Sequence, residues 1–567
     1  MRAAGFLRNV PVLAGLPDEL LERLAQQAKD VRVRAGAWVM REGESADSMF
    51  IVCSGRLEVI DEGPPETLIR VLRRGDVLGE LALLRAETRS ASVRARRDAE
   101  LVELGRAEFE ALIMEAPSFA LGLLRAMGER LATSRASVVA VTPPRTIAVV
   151  GLDPAAPTTE VAKTLADEAS TYGSAARLAA GDLATIDRAE RDAERVVLHA
   201  GSDPADQWAE LCLREADLVV AVTTGMPGAE WLRRQAALQG CELIILGSAV
   251  ADETRSRLRP REVQLVAQPG RLRHILEQTA RRIAGRAPGL VLSGGGARAF
   301  AHLGVVAELR EAGLRLDRVA GVSLGAAVAA MIATGLTSRD AYRTLERACV
   351  DANPSNDFVP PVYSLIRGSK TRRLLHETFG NRRIEELPVR FFCMSCDLVA
   401  REPVFHRAGP IAKAVYSSLA IPGVYPPVAS HGRLLVDGGV LDNLPVAAMA
   451  GTGEGPVIAV DTTGRAGAPR RRQRPAVARL GRPVRRLLTG SEAEIPRLGE
   501  TILRTMTVGS SDTAAAAGLH ADLVITPPVE HIGLLDWKAL PRVVELGRRA
   551  AREALEADPE VLSRLGS

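Results

Sequence analysis

The chain has 567 residues, of which 47% are apolar and 25% charged, and its formal net charge is +4. This length predicts roughly three or four domains, and the composition excludes a fibrous or disordered chain. The small net charge gives no sign of a nucleic-acid partner, and the six scattered cysteines are too sparse for a secreted disulfide scaffold.

The amino-terminal stretch shows no basic region followed by an apolar core, so we expect no signal peptide. The longest apolar run, from Val322 to Leu336, is shorter than the ~20 residues that a membrane span needs. We therefore expect a cytoplasmic protein that is at most peripheral to a membrane.

The first segment, residues 1–140, begins with a helix near Pro17 and Asp18. Short β-like runs separated by glycine turns follow, and a helical pattern starts at Arg106. Turn signals at such spacing predict a small β-roll with flanking helices.

A candidate anion site lies in "GDVLGELALLRAETRSASVRA", where Gly79, Glu80 and Leu81 precede Arg89 and Ser90. A loop and short helix that present N–H groups and one arginine suit a phosphate. The stretch resembles the phosphate-binding cassette of cyclic-nucleotide-binding domains. That resemblance implies that Glu80 binds the ribose, Arg89 the cyclic phosphate, and Ser90 the phosphate or base. It implies cAMP or cGMP as a regulatory ligand; the alternative is a β-roll that has lost its ligand.

The second segment, residues 144–286, alternates apolar β runs ("TIAVVG", "RVVLHA", "DLVVAV", "ELIILG") with helical stretches. This alternation predicts a parallel, Rossmann-like α/β layer. Its loop "VVGLDPAAPTTEVAKTL" lacks both nucleotide fingerprints, G-K-[ST] and G-x-G-x-x-G. We interpret the segment as a linker domain that binds no small molecule.

The third segment, residues 288–560, opens with "LVLSGGGARAFAHLGV". A strand followed by a glycine-rich turn and then a helix is typical of a dinucleotide site, and also of an oxyanion hole. Gly294 and Gly296 fit the dinucleotide fingerprint, but its third glycine is replaced by Ala299 and its acid would be Asp317. At this point both interpretations remain open.

The next strand favours a hydrolase. In "LDRVAGVSLGAAVAAMIATG", Gly321, Ser323 and Gly325 form a G-x-S-x-G motif between a β run and a long apolar helix. This is the strand–turn–helix context of a nucleophile elbow. The N–H groups of Gly294–Gly296 would then stabilise the oxyanion of a tetrahedral intermediate.

Downstream, "GRLLVDGGVLDNLPV" places Asp437 before Gly438 and Gly439. With the glycine loop and the elbow, this Asp-Gly-Gly resembles the patatin-like phospholipases. "YSLIRG", "SSLAIPGVYPPV" and "ADLVITPPVEHIGLLDW" are similar to the neuropathy target esterase branch of that family.

The resemblance implies a C-terminal α/β patatin-like hydrolase with a Ser–Asp dyad in place of a histidine-bearing triad. Ser323 would be the nucleophile, Asp437 the base, and Arg298 a member of the oxyanion loop with the three glycines. The implied substrate is a phospholipid or lysophospholipid, and no metal or cofactor is needed for catalysis.

Three other side chains compete for catalytic roles. His302 follows the glycine loop on a predicted helix, and we interpret it as a packing residue. His406 is a second candidate for a third triad member. Asp442 fits a turn before "NLPV" better than it fits the base.

The stretch from Thr462 to Ser491 contains nine arginines and no acid. Such a run is either a solvated loop or a contact with an anionic membrane, and residues 465–486 are the candidate membrane contact.

Two alternatives remain for the function of the whole chain. One is a broad esterase or phospholipase A with a silent sensor, and the other is a nucleotide-responsive membrane adaptor without activity. The sequence does not indicate the oligomeric state.

Overall fold

The protein is described from a computed structural model. Two compact units divide the chain, Met1–Ala284 and Gly285–Ser567. The three-domain division at 140/144 and 286/288 stays a prediction, and the arginine-rich residues 465–486 lie outside the described residues. The structure describes residues 7–8, 10–13, 16–62, 67–85, 88–116, 119–120, 123, 143–247, 255, 257–266, 268–360, 362–463 and 520–565.

The first unit opens with the predicted β-roll. Two antiparallel sheets form it, in the orders β1-β8-β3-β6 and β2-β7-β4-β5. Gly55 has a φ of 88° in the turn after β3, where an added Cβ would lie 2.2 Å from the Asp98 carbonyl oxygen. The strands are β1 Lys29–Val33, β2 Trp38–Met40, β3 Ser48–Ser54, β4 Leu57–Asp61, β5 Thr67–Leu72, β6 Val77–Leu78, β7 Ser92–Ala95 and β8 Ala99–Gly105.

In the described part of this roll, three helices have defined bounds. One core packs sheet residues such as Ile51 and Leu104 against Leu21 and Phe109, which come from two of the helices. The helices are α1 Asp18–Gln27, α2 Glu80–Arg85 and α3 Arg106–Glu115.

A parallel sheet follows in the same unit, in the order β10-β11-β9-β12-β13-β14. Apolar clusters bury both of its faces, which explains why the strands are continuous apolar runs. The strands are β9 Thr146–Gly151, β10 Ala175–Leu178, β11 Arg195–Gly201, β12 Leu218–Thr223, β13 Glu242–Leu246 and β14 Glu262–Val266. The helices are α4 Thr158–Ala169, α5 Leu183–Asp192, α6 Gln207–Glu215, α7 Ala229–Arg233, α8 Gln235–Leu238 and α9 Pro269–Ile283.

A buried charge network joins the roll to this sheet. The Arg56 guanidinium donates to Asp217 at 2.8 Å and to Glu215 at 3.3 Å, and the Gly55 N–H donates to Glu215 at 3.2 Å. All three charged side chains are buried. Removing one member would leave an uncompensated buried charge. The network therefore constrains the position of the roll on the sheet.

The second unit is built on a mixed sheet in the order β19-β20-β17-β16-β15-β21-β22, and β18 also pairs with β17. The pairs β16–β17, β15–β16, β15–β21 and β21–β22 are parallel, whereas β20 is antiparallel to β17. The strands are β15 Gly289–Leu292, β16 Arg318–Gly321, β17 Arg390–Asp397, β18 Glu402–His406, β19 Val428–Ser430, β20 Arg433–Asp437, β21 Val457–Val460 and β22 Leu523–Ile525.

Helices cover this sheet, and the apolar helix α11 is buried along its whole length. Within the described residues, no helix is both long enough and apolar enough to cross a bilayer. The helices are α10 Ala301–Glu311, α11 Leu324–Ala333, α12 Ser338–Leu345, α13 Ser369–Phe379, α14 Ile411–Leu419, α15 Val446–Ala450, α16 Leu540–Ala557 and α17 Val561–Arg564.

Candidate active site

Ser323 lies in the sharp turn between β16 and α11. Its backbone has φ 55° and ψ −130°, a region that a side-chain-bearing residue adopts only when its surroundings impose it. An added Cβ on Gly321 would lie 2.5 Å from the Gly325 carbonyl, and one on Gly325 would lie 2.4 Å from the Ser293 carbonyl oxygen. Both glycines of the motif are therefore required by close backbone packing.

A second serine holds this strained turn. The Ser323 N–H donates to Ser418 Oγ at 3.0 Å, and that hydroxyl donates to the Met394 carbonyl at 2.6 Å. Ser418 belongs to α14 and is fully buried. The strained backbone is thereby tied to the central strand β17.

Asp437 ends β20 beside Ser323. Its N–H donates to the Ala420 carbonyl at 2.9 Å, and its carboxylate accepts from the Gly439 N–H at 2.8 Å. Burial raises the pKa of Asp437 to about 6, although hydrogen bonds from the Gly439 N–H and the Ser323 hydroxyl oppose this rise. The Ser323 hydroxyl therefore lies close enough to the Asp437 carboxylate to lower its pKa, and the carboxylate titrates close to neutral pH.

The Asp-Gly-Gly turn is packed as closely as the elbow. An added Cβ on Gly438 would lie 2.5 Å from the Met394 carbonyl oxygen, and one on Gly439 would lie 2.9 Å from Asn443 Oδ1. The glycines therefore let the turn fold back against β17 and present the carboxylate to the serine.

The glycine loop lies directly against the nucleophile, because an added Cβ on Gly294 would lie 3.0 Å from the Ser323 Cβ. The Gly294 N–H donates to the Asn443 carbonyl at 3.3 Å. In the part of the chain that the structure describes, the N–H groups of Gly295 and Gly296 have no such acceptor. These two groups are therefore the better candidates for oxyanion donors.

Arg298 contacts the main chain with its guanidinium. It donates to the carbonyls of Ile532 at 2.8 Å, Thr463 at 3.1 Å and Glu530 at 3.1 Å. These contacts anchor Arg298 to the main chain, and its membership of the oxyanion loop stays a prediction.

The two histidines lie apart from the Ser323–Asp437 pair in their hydrogen bonding. His302 Nε2 donates to the Ser293 carbonyl at 2.8 Å, and His406 Nε2 lies 2.7 Å from Ser395 Oγ. Burial lowers the pKa of each ring to about 4, and for His406 the charge of Lys413 adds to the effect. Both rings are therefore neutral at pH 7.

Asp442 forms the turn that the sequence suggested, because its carboxylate accepts from the Leu444 N–H at 2.9 Å. The neighbouring Asn443 was missed. Its Nδ2 donates to the Gly294 carbonyl at 3.2 Å, so it links the Asp-Gly-Gly turn to the glycine loop. Ser418 was missed too, although "SSLAIPGVYPPV" and "DNLP" both stood out as motifs.

The candidate nucleotide site lies where β6 meets α2. Glu80 and Arg89 are buried, whereas Leu81 and Ser90 are exposed. Arg89 Nη1 donates to the Gly79 carbonyl at 3.3 Å, and its guanidinium lies 5.9 Å from the centre of the Phe50 ring. Burial lowers the pKa of Arg89, so an anion at this guanidinium would relieve an electrostatic cost.

Neither site contains a metal centre in the described ranges, since they hold no group of three His, Cys, Asp or Glu side chains suited to a metal ion.

Comparison with known proteins places both sites in context. Residues 290–450 match the family "Patatin-like phospholipase", and residues 30–116 match "Cyclic nucleotide-binding domain". An uncharacterized NTE family protein of Mycobacterium tuberculosis (strain CDC 1551 / Oshkosh) is 34% identical over 573 residues, covering 98% of this chain and 97% of its own. This chain belongs to the NTE family. The predicted membership and the predicted multidomain fold class are thereby confirmed.

More distant relatives of this NTE family protein are longer. Lysophospholipase NTE1 of Coccidioides immitis (strain RS) is 24% identical, covering 93% of this chain and 40% of its own. The regulatory domain of Toxoplasma gondii PKA with cAMP is 30% identical over 19% of this chain and 42% of that chain, with a TM-score of 0.19. A score this low carries no argument, so the assignment of the β-roll rests on the family match.

The buried carboxylate of Asp437 predicts a pH-dependent cost in stability. The pKa rises on folding from 3.8 to about 6, so the folded state holds the proton more tightly and stability falls as pH rises through this window. We expect Asp437→Asn, which keeps the volume, to raise the free energy of unfolding by up to about 3 kcal/mol above pH 7. Urea unfolding of both proteins at pH 8 and pH 4.5 measures it. A gain that is equal at the two pH values would contradict the burial argument.

Proposed function

We propose that this NTE family protein is a serine lipid acyl hydrolase of the lysophospholipase or phospholipase type. The observation that carries the proposal is the strained backbone of Ser323 beside the buried Asp437 carboxylate, whose pKa burial raises and the Ser323 hydroxyl lowers. The relatives named lysophospholipase support the choice of a lipid ester as the substrate.

In the first step, Asp437 takes the hydroxyl proton while Ser323 Oγ forms a bond to the acyl carbonyl carbon. The N–H groups of Gly295 and Gly296 stabilise the oxyanion, and one such donor is worth about 3 kcal/mol. The C–O bond to the glycerol oxygen then breaks, and protonated Asp437 gives its proton to that oxygen.

In the second step, water attacks the acyl-enzyme and Asp437 takes its proton. Collapse of the second tetrahedral intermediate releases the fatty acid and returns the proton to Ser323. A carboxylate whose pKa is raised to about 6 is ionised at pH 7, yet it is more basic than an exposed aspartate. Burial thus compensates for the lack of a histidine between the two residues.

Replacement of the two reacting residues tests this assignment. We expect Ser323→Ala to lower fatty-acid release from a lysophosphatidylcholine panel by at least about a thousandfold, because the acyl-enzyme cannot form. Asp437→Asn should lower it by about a hundredfold or more. The matched control is Asp442→Asn, which keeps the turn bond to Leu444 and should retain release. Release that persists in Ser323→Ala would contradict the proposal, and no release from any lipid would favour a non-enzymatic adaptor.

We also propose that the β-roll binds a cyclic nucleotide that regulates hydrolysis. The family match and the buried Arg89 support it, with Arg89 on the cyclic phosphate and Glu80 on the ribose. Regulation requires a coupling free energy between this site and the hydrolase site.

Calorimetric titration of the full chain with cAMP and with cGMP tests the nucleotide site. We expect Arg89→Ala to weaken binding by about ten- to a hundredfold, because charge-assisted hydrogen bonds to the phosphate are lost. Arg41→Ala is the control, since this arginine pairs with Glu62 at the surface of the same roll. A chain that binds neither nucleotide would be a hydrolase with a silent sensor.

A further inference from the structure

Large apolar side chains protrude from one loop of the second unit. Phe358, Val362 and Tyr363 are 73%, 75% and 85% exposed. Aromatic residues make up only 3% of the sequence, yet two of them are exposed to water in this one loop. Exposed apolar side chains that cluster in this way commonly mark a binding surface. We call residues 357–366, apart from 361, the apolar loop.

The backbone of the apolar loop is held firmly. The Val359 N–H donates to the Leu365 carbonyl at 3.1 Å, while the N–H groups of Leu365 and Ile366 donate to Gly423 and Val424 at 2.9 Å each. The Ile366 side chain is buried. The exposed side chains therefore stand on a fixed base.

That base is continuous with the candidate active site. Gly423 and Val424 follow Ala420, whose carbonyl accepts the Asp437 N–H at 2.9 Å. Ser418, which holds the Ser323 N–H, lies two residues before Ala420. A molecule bound at the apolar loop would therefore lie beside the segment that positions the reacting pair.

A basic recess adjoins the loop. Asp357 begins the loop and accepts the Ser369 N–H at 3.0 Å at the start of α13, and Arg372 follows one turn later. The recess is a cavity of about 410 Å³ whose lining includes Arg372, His376, Lys413, Tyr416 and Val428.

The charge around the loop is predominantly positive. Residues 357–379 contain four basic side chains and two acids. Glu377 pairs with Arg373, and Asp357 binds the first turn of α13. Lys370 and Arg372 contact neutral oxygens, those of Asn356 and Tyr416. These contacts do not neutralise the positive charges of Lys370 and Arg372, which can therefore attract an external anion.

We propose that the apolar loop and the basic recess dock the protein on an anionic phospholipid surface. Protruding aromatic side chains beside basic ones suit the headgroup region of an anionic bilayer, because the rings lie at the membrane–water interface while the basic groups meet the lipid phosphates. The residues of this surface are different from residues 465–486, the candidate membrane contact in the sequence. The docking proposal rests on the proposed function only in the purpose of docking, which is to bring a lipid substrate to Ser323.

Vesicle co-sedimentation of the full chain tests the docking surface. Ser323→Ala is the parent protein, so that no lipid is hydrolysed and the outcome does not depend on the proposed activity. We expect Phe358→Ser with Tyr363→Ser to lower partition onto vesicles of equal phosphatidylglycerol and phosphatidylcholine by at least tenfold. The matched control is Met114→Ser with Met226→Ser, which removes side chains that are 83% and 62% exposed in the first unit.

Two further variants test the basic side chains and the insertion of the loop separately. Arg372→Gln with Lys413→Gln should weaken binding to the mixed vesicles and leave binding to pure phosphatidylcholine unchanged. In Tyr363→Trp, the added indole emission should shift to the blue on the mixed vesicles, which reports insertion even if the serine variants fold poorly.

Unchanged partition of the loop variant, or no emission shift, would overturn the proposal. A wild-type oligomer in light scattering that the loop variant converts to monomers would also overturn it, because the loop would then bind a second copy of the chain.

Discussion

The backbone of Ser323 is the constraint on which the hydrolase unit depends. A φ of 55° at a residue with a side chain is unfavourable, so the surrounding structure must impose it. Three features do so. Gly321 and Gly325 pack without Cβ atoms, Ser418 accepts the Ser323 N–H, and the glycine loop lies against the Ser323 Cβ. The same contacts fix the glycine loop relative to Ser323, so one strained residue sets the geometry of the whole candidate site.

The second constraint is the burial of the Asp437 carboxylate. No cation of the described residues pairs with this carboxylate, so its burial destabilises the fold at neutral pH and raises the pKa of the group to about 6. In the proposed mechanism, this loss of stability on folding is what makes Asp437 a competent base. The neutral His302 and His406 contribute hydrogen bonds to the scaffold, and the proposed proton transfer does not involve them.

Much of this arrangement could be predicted from the sequence, because the decisive residues lie in short motifs with a fixed local geometry. The elbow, the glycine loop and the Asp-Gly-Gly turn each combine glycines with one reactive or backbone-donating group. Apolar runs in the sequence predicted four strands of the parallel sheet in the first unit. Its partly exposed strand β10 and the strand β14 were not predicted, since their side chains are less uniformly apolar.

Contacts between distant segments could not be predicted. Asn443 meets Gly294 across 149 residues, and Arg298 meets the carbonyls of Ile532 and Glu530 across more than 230. No local pattern marks such pairs. For the same reason, the sequence analysis did not single out the buried Arg56, which joins the β-roll to the parallel sheet.

The most direct test of the account is the pH dependence of covalent labelling. A fluorophosphonate would be reacted with the full chain between pH 4.5 and 8.5, and the modified peptide identified by mass spectrometry. The account predicts one modified residue, Ser323, with a labelling rate that rises with pH and levels off, with its midpoint at about pH 6, as Asp437 ionises. Modification at another serine, or a rate that does not change between pH 5 and 7, would contradict a Ser323–Asp437 mechanism.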